Sequence, residues 1–200
     1  PWFRAQKRAF DIAVAGAALL LLAPVMLALA LAIRLDSPGP VLFRQRRVGR
    51  GNRHFTIFKF RTMHYGQVDA IGAQSASRQD DRVTRLGRFM RRTSLDELPQ
   101  LLNVLTGDMS IVGPRPHALG SRAGHKLFWD VAANYWERHA IKPGMTGLAQ
   151  IRGFRGATDT TDDISLRVRS DIEYLANWSL MGDAFILLRT VQVVIHDKAY

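Results

Sequence analysis

The chain has 200 residues, no cysteine and a formal net charge of +11 at pH 7. This length suffices for one compact domain with a real core, and the lack of cysteine excludes disulfides and thiolate metal sites. The positive charge implies an anionic partner, which could be a phosphate compound, a nucleic acid or an acidic membrane surface. Because the chain begins with proline rather than methionine, we expect it to be part of a longer protein.

Residues 12–33 form an apolar run without a single charge. A helix of this length would reach about 33 Å, enough to cross a bilayer core. Pro24 lies near the middle of the run, where it removes one backbone hydrogen bond and predicts a kink or break. Basic residues flank the run on both sides, whereas positive charge normally collects on the cytoplasmic side alone. We therefore predict a re-entrant hairpin that enters the membrane, turns at Pro24 and leaves by the same face.

Three other interpretations of this run remain open. It could be a straight single-pass helix, because proline is tolerated in such helices. It could be a signal peptide with a cleavage-like end at residues 30–32, although the run is longer than the usual core of a signal. It could also be a buried helix of a soluble protein, although it exceeds the length that a core helix needs.

Two strands are predicted after the apolar run, at residues 41–48 and 54–62, around a turn at residues 49–52. The alternation of side chains along a strand places Lys59 and Arg61 on one face of the second strand. Two cations on one face could hold a diphosphate. A solvated strand edge is the simpler explanation of the same pattern.

The segment 91–116 carries the most informative pattern. Ser94 and Glu97 have the spacing of a helix capping box. Pro99 would then lie one turn into the helix, where proline is unfavourable. The alternative is a helix that starts at Pro99 and carries the acidic residues on the turn before it. In both cases the leucines of the segment supply the apolar face of the helix.

A functional interpretation of the same segment starts from Asp96 and Glu97, which follow Arg91 and Arg92 closely. A carboxylate at a helix start beside arginines would stay ionised and could act as a nucleophile or a Mg²⁺ ligand. Neighbouring residues on a helix point in different directions, so each acid can have its own role. Arg115 lies between two prolines, and a guanidinium held in this way suits bidentate phosphate binding.

In the rest of the chain, the pattern of apolar and capping residues predicts a loop at residues 64–77, helix caps at residues 158–163, and two helices at residues 164–178 and 182–195. The last helix would pack on the domain or lie at a membrane interface. The sequence contains no Walker loop, Rossmann glycine pattern, HExxH pair or serine nucleophile elbow.

In their order along the chain, these motifs resemble the bacterial sugar transferases, which are monotopic phosphoglycosyl transferases that load a polyprenyl phosphate. The resemblance covers nearly the whole chain. It is carried by Lys7-Arg8 with Asp11, the apolar run, residues 36–43, 59–63 and 93–100, Gly113-Pro114-Arg115-Pro116, Lys142-Pro143-Gly144 and Asn177-Trp178-Ser179. Residues 117–119, 155–160 and 199–200 look like the undecaprenyl-phosphate glucose phosphotransferases of exopolysaccharide synthesis.

The resemblance implies an α+β fold in two parts. Residues 1–36 would form the re-entrant helix-break-helix hairpin, and residues 37–200 a mostly helical catalytic domain with a small β-hairpin and interfacial amphipathic helices. The expected location is the cytoplasmic face of the bacterial inner membrane. The expected partners are a UDP-sugar and undecaprenyl phosphate, with no nucleic acid, and a homodimer is left open.

The resemblance also implies a mechanism. Asp96 would attack the β-phosphate of a UDP-sugar, with glucose as the expected sugar, and release UMP. Undecaprenyl phosphate would then accept the phosphosugar with the assistance of Glu97, while Mg²⁺ held in part by Asp96 would neutralise the diphosphate. The candidate phosphate-binding residues are Arg115, Lys59, Arg61, Arg91 and Arg92.

Three positions depart from the family pattern. Ala23 stands where many relatives have serine before the membrane proline, and Leu148 and Arg152 stand where tryptophan and asparagine are usual. The last two changes affect the expectation for the sugar more than that for the acidic pair. Two rival functions remain: a non-catalytic basic module that binds anionic lipid or nucleic acid at the membrane surface, and a single-pass scaffold for a membrane complex.

Overall fold

The computed structural model describes residues 2–66, 80–154 and 160–194. Most of the predicted loop at 64–77 lies outside the described residues, as do residues 155–159. The helices are α1 (Trp2–Asp36), α2 (Arg85–Arg92), α3 (Gln100–Thr106), α4 (Phe128–Val131), α5 (Leu148–Ile151), α6 (Thr161–Ala176) and α7 (Leu180–Val194). The strands are β1 (Leu42–Val48), β2 (His54–Phe60), β3 (Ser110–Val112), β4 (Arg122–Ala123), β5 (Lys126–Leu127) and β6 (Gly144–Thr146). This mixture of helices and small sheets confirms the predicted class.

The strands form three two-stranded sheets within the described residues. β1 and β2 are antiparallel, with Leu42 opposite Phe60 at one end and Val48 opposite His54 at the other, which confirms the predicted hairpin. β3 and β6 are parallel, and β4 and β5 are antiparallel. The small size of the sheets leaves most of the packing to helices.

Helix α3 is fixed against strand β2 by one buried amide side chain. Asn103 accepts a hydrogen bond from the Phe58 backbone at 2.9 Å and donates to the Thr56 carbonyl at 2.7 Å. The side chain therefore satisfies two backbone groups of the strand much as a neighbouring strand would. On the other side of α3, Val104 is fully buried in the main hydrophobic core together with Val112 of β3. These contacts set the position of the turn that precedes α3.

Helix α1 contains Pro24 and continues through it without interruption. The predicted break into two helices at Pro24 is therefore absent from α1, which is a single helix. Proline withholds a single hydrogen bond, and the turns on either side keep theirs, so the helix persists. Among the described residues, α1 is the one helix long and apolar enough to cross a membrane. Its middle is exposed: Leu20 is 82 % exposed and Leu27 is 71 % exposed.

Both ends of α1 contact the same domain. Near its start, Asp11 accepts hydrogen bonds from the Ile111 backbone at 3.0 Å and the Ser110 hydroxyl at 2.9 Å. At its end, the Arg61 guanidinium donates to the carbonyls of Ile33 at 3.3 Å and Ser37 at 2.6 Å. The apolar run thus begins and ends against one folded body, with its middle uncovered between these two points.

Helix α7 has one buried and one exposed apolar face. Asp183 and Ile186 are buried, whereas Met181, Phe185 and Leu188 are 80 %, 53 % and 71 % exposed. The spacing of the three exposed residues places them on one side of the helix. The helix that was predicted at 182–195 is therefore present, and it is packed on the domain along one side only.

Candidate active site

The turn that carries the two acidic residues has a form the capping-box prediction did not anticipate. Ser94 adopts a left-handed conformation with φ 56°, and its side chain caps no helix. Leu95–Glu97 form a single 3₁₀ turn, and α3 begins only at Gln100, after Pro99. The capping-box prediction is wrong because the Glu97 side chain bonds to distant cations instead, and the alternative helix start at Pro99 fits the structure.

Glu97 is held between two cations. Its carboxylate accepts hydrogen bonds from Lys59 Nζ at 2.6 Å and from Arg115 Nη1 at 3.0 Å, with a second contact from Arg115 Nη2. Burial opposes ionisation of Glu97, but Arg115 and Lys59 more than offset it, so the pKa of Glu97 lies well below its usual range. Glu97 in turn raises the pKa of Arg115. Glu97 is therefore ionised throughout the physiological range.

Asp96 differs from its neighbour in having no hydrogen-bond or ion-pair partner within the described ranges, although its residue is only 8 % exposed. Burial raises the pKa of Asp96 to about 6, and the charge of Glu97 adds to this effect, while Lys59 and Arg91 oppose it. A nearly buried carboxylate without partners is costly unless something else occupies it. Such a group in a cleft is a candidate for catalysis or ligand binding.

The described residues contain no group of three or more acidic, histidine or cysteine side chains that could hold a metal ion. Glu97 is also engaged by Lys59 and Arg115, so Asp96 alone offers free carboxylate oxygens here. One carboxylate fits Mg²⁺ in the usual way for nucleotide enzymes, where phosphates of the substrate and water complete the coordination. The residues present therefore fit a Mg²⁺ ion that binds together with a nucleotide substrate of the protein.

Arg115 is positioned from behind by a buried guanidinium. Arg138 donates to the Arg115 carbonyl at 2.8 Å and to Asp171 Oδ2 at 2.5 Å. It also contacts His117 Nδ1 at 2.9 Å, and burial together with Arg138 lowers the pKa of His117 far below its usual value. A neutral His117 accepts this hydrogen bond. The Arg138–Asp171 pair thus fixes the backbone from which Arg115 reaches Glu97.

The chain before Arg115 passes very close to strand β6. A side chain at Gly113 would lie 2.6 Å from the Lys142 carbonyl, and one at Gly144 would lie 2.1 Å from the Gly113 nitrogen. Only glycines allow this approach of two backbones. This close packing of residue 113 against β6 positions Arg115, two residues later, next to Glu97.

The structure brings together some of the predicted site residues but not all of them. Lys59, Glu97 and Arg115 meet, with Asp96 adjacent. Arg91 donates to Thr62 Oγ1 at 2.8 Å and lowers the pKa of Asp96, while Arg92 is exposed on α2.

Arg61 lies elsewhere than the prediction placed it. Arg61 is 4 % exposed, and its guanidinium donates to carbonyl groups at the end of α1 and just after it, including the Pro38 carbonyl at 2.7 Å. Strand β2 ends at Phe60, so the alternation that was used to align Arg61 with Lys59 no longer applies at that position. Arg61, which was predicted to bind phosphate, donates in the structure to Ile33, Ser37 and Pro38 at the end of α1 and just after it.

Sequence reasoning missed Arg47. This residue donates to the Pro116 carbonyl at 3.3 Å and contacts the Gln45 side chain. Burial and the nearby Arg115 lower the pKa of Arg47 to about 10. The pairing of β1 with β2 shows how Arg47 could have been found. Phe43 lies opposite Lys59, and residues 43, 45 and 47 share one face of β1, so Arg47 lies on the same face of the hairpin as Lys59. Arg138 and Asp171 are 33 positions apart, and no local pattern predicts that they pair.

The chain is similar to known proteins over nearly its whole length. The profile of the family described as bacterial sugar transferase matches residues 2–197. The chain is 51% identical over 185 residues to the exopolysaccharide production protein PSS of Rhizobium leguminosarum bv. phaseoli, covering 92% of both chains. It is 51% identical over 197 residues to the undecaprenyl-phosphate glucose phosphotransferase of Komagataeibacter xylinus, covering 98% of this chain. The chain belongs to the bacterial sugar transferase family.

Some relatives are much longer. The chain spans 37% of the Komagataeibacter protein. It also spans 41% of an Escherichia coli relative that bears the name UDP-glucose:undecaprenyl-phosphate glucose-1-phosphate transferase and is 50% identical over 196 residues. The matched region covers 98% of this chain in both cases.

Proposed function

We propose that this chain transfers a sugar 1-phosphate, with glucose as the expected sugar, from a UDP-sugar to undecaprenyl phosphate and releases UMP, as the first step of exopolysaccharide synthesis. The observation that carries the proposal is Asp96, a nearly buried carboxylate that has no partner among the described residues and lies beside the cations Lys59 and Arg115. The names of relatives that share half of the sequence supply the two substrates.

In the first proposed step, a carboxylate oxygen of Asp96 attacks the β-phosphorus of the UDP-sugar. The bond between this phosphorus and the bridging oxygen breaks, and UMP leaves with that oxygen and its electron pair. The product is a sugar-phosphoryl aspartate. The pKa of about 6 for Asp96 leaves the group mostly ionised at neutral pH, as a nucleophile must be.

In the second proposed step, a phosphate oxygen of undecaprenyl phosphate attacks the same phosphorus. The bond from phosphorus to the aspartate oxygen breaks, which restores Asp96 and yields the lipid-linked diphosphate sugar. Both steps accumulate negative charge on phosphate oxygens, and preorganised cations are the groups that stabilise it. In this proposal Lys59 and Arg115 have this role, and Arg47 lies close enough to Arg115 for Arg115 to lower the pKa of Arg47.

Glu97 has a different role from that of a simple proton acceptor in this proposal. A carboxylate whose pKa is held far below its usual range binds protons weakly. We expect Glu97 to orient Lys59 and Arg115 before substrate binds, and to assist the lipid phosphate only after the diphosphate has drawn these cations towards itself. Mg²⁺, with Asp96 as its protein ligand, would supply charge neutralisation of the diphosphate.

The membrane part of the proposal retains the re-entrant topology. A helix that spans a bilayer separates its ends by about 30 Å and places them in different compartments. Here Asp11 and Ile33 both contact one charged domain, which supports entry and exit by the same face. The exposed side of α7, with Met181, Phe185 and Leu188, would then lie at the interface. The cytoplasmic face of the inner membrane is the expected side, because a UDP-sugar is a soluble cytoplasmic compound.

The experiment that tests the proposal is incubation of the purified protein with undecaprenyl phosphate, Mg²⁺ and a panel of UDP-sugars, with release of UMP as the readout. We expect UDP-glucose to give the highest rate, and chelation of Mg²⁺ to abolish it. Absence of UMP release with every sugar would contradict the proposed function.

A further inference from the structure

We propose that a groove at the start of α1 binds the phosphate of an anionic phospholipid headgroup, at a site separate from the acidic turn. The groove has a volume of about 600 Å³. Its walls come from three segments that are distant in sequence: the turn between β1 and β2, the loop after α3, and Lys142 before β6. Its membrane location rests on the proposed function above.

Two of the three walls of the groove carry cations. Arg50 and Arg53 come from the hairpin turn, and Lys142 comes from the opposite side. Within the described part of the chain, none of these side chains makes an ion pair or a side-chain hydrogen bond. The carboxylate that lines the groove is Asp108, which accepts a hydrogen bond from Thr106 at 3.0 Å. Three cations from two segments therefore line the groove without an ion-pair partner among the described residues.

A fourth cation borders the groove from α1. The Arg8 guanidinium donates to the Val104 and Leu105 carbonyls at 2.5 Å and 2.7 Å. A side chain built at Gly107 would lie 3.6 Å from Arg8 Nη2 and 3.4 Å from Lys142 Nζ, so the glycine leaves space between these two cations. Burial, Arg8 and Arg50 all lower the pKa of Lys142. This cost of keeping like charges together is relieved when an anion binds between them.

The position of the groove favours a lipid as the source of the anion. Arg8 precedes Ile12, the first residue of the apolar run, by about one helical turn. The ends of a segment that dips into a bilayer lie at the level of the headgroups, where Trp2 and Phe3 are also exposed. Clusters of basic residues at this level bind anionic lipids. The groove is thus at the correct depth for a phospholipid phosphate.

The groove is distinct from the candidate active site. Lys59 pairs with Phe43 near one end of the β1–β2 hairpin, whereas His54, which lines the groove, pairs with Val48 at the other end. Five residue steps along a strand separate Lys59 from His54 by about 16 Å. The two sites also lie at opposite ends of α3. A lipid in the groove would therefore fix the domain on the membrane and leave the acidic turn open.

The test measures lipid binding to the purified, detergent-solubilised protein by native mass spectrometry. Dioleoyl phosphatidylglycerol is titrated against dioleoyl phosphatidylcholine, without UDP-sugar. We expect the wild type to retain phosphatidylglycerol selectively. The double variant R50Q/K142Q should bind phosphatidylglycerol about thirtyfold more weakly, as the loss of two cations at an anionic lipid surface implies. The matched control R122Q/K126Q removes the same two charge types from the exposed β4–β5 hairpin and should change binding by less than about twofold.

A charge-preserving variant keeps the test informative if the first one folds poorly. The exchange R50K/K142R should retain selective binding, because a lipid phosphate responds to charge at this position. Equal retention of both lipids by the wild type, or equal losses in R50Q/K142Q and R122Q/K126Q, would overturn the proposal. Thermal stabilisation by inorganic phosphate without selective retention of phosphatidylglycerol would overturn the lipid as the source. Since UDP-sugar is absent, a failure of the Asp96 chemistry would leave this readout unaffected.

Discussion

The charged network at the start of α1 and the one around Asp96 are built from similar residues, but their carboxylates have different numbers of partners. Asp183 is fully buried and contacts Tyr174 OH at 2.7 Å, Trp178 Nε1 at 3.1 Å and Lys7 Nζ at 2.7 Å. Asp11 shares Lys7 and has three donors as well.

Around Asp96 the distribution is uneven. Glu97 forms ion pairs with both Lys59 and Arg115, whereas Asp96 forms an ion pair with neither. Complete pairing is what a buried carboxylate needs for stability. A carboxylate that stays unpaired beside two cations is better suited to an incoming ligand. The number of partners therefore distinguishes the candidate active site from the anchoring network, which consists of Lys7, Asp11 and Asp183. Substitution of the carboxylates in each network tests this difference.

The largest effect is expected for Asp96→Asn. UMP release should fall by at least about 10³-fold, because the nucleophile is lost. The melting temperature should change little, since Asp96 makes no hydrogen bond or ion pair with the described part of the chain and a neutral amide is easier to bury. Rates and thermal unfolding in detergent check both parts. A variant that keeps more than about a tenth of the wild-type rate would remove Asp96 from the chemistry.

Glu97→Gln should lower the rate of UMP release by about 10²-fold, because Lys59 and Arg115 lose the charge that orients them. The control is Glu173→Gln, which breaks another two-contact pair with an arginine, Arg152, on the exposed surface. This control should leave the rate unchanged. Initial rates with UDP-glucose measure the difference, and equal rates for the two variants would show that Glu97 has only a local structural role.

Asp183→Asn tests the other side of the comparison. It leaves Lys7 without one of its buried partners, and we expect a loss of about 3 kcal/mol in the free energy of unfolding. Chemical denaturation of the purified protein in detergent checks this value. The rate per folded molecule should stay within about threefold of wild type, because the anchoring network does not contact the acidic turn. A change of less than about 1 kcal/mol would mean that the pairing contributes little.

The smallest effect on catalysis is expected for Arg61→Lys. The lysine cannot reproduce the set of hydrogen bonds to Ser37 and Pro38, so we expect a loss of about 1–2 kcal/mol in stability. The KM for UDP-glucose should change by less than about twofold, in contrast to Lys59→Met, which should raise it. An increase in KM for Arg61→Lys without loss of stability would restore the original prediction of a phosphate-binding Arg61.

The sequence predicted the features that depend on local spacing. The β1–β2 hairpin follows from alternation around a turn, and the leucine pattern indicates α3. Long-range partners override local signals elsewhere. Ser94 and Glu97 have capping-box spacing, yet Glu97 bonds to Lys59 across 38 positions. A capping box is formed instead at Thr160 and Asp163, which are three positions apart.

The site was predictable only in part for the same reason. Asp96, Glu97 and Arg115 stand out through a short motif, and Lys59 through its strand face. Arg138 supports Arg115 through a backbone carbonyl, a contact that depends on tertiary structure and leaves no pattern in the sequence. The register of a hairpin also has to be known before Arg47 can be placed on the face of Lys59.

The most direct test of the account is the intact mass of the protein after incubation with UDP-glucose and Mg²⁺ in the absence of undecaprenyl phosphate. We predict an increase by the mass of one hexose phosphate group, absent in Asp96→Asn and discharged when undecaprenyl phosphate is added. UMP release that requires undecaprenyl phosphate, with no change in protein mass at any time, would contradict a covalent intermediate on Asp96.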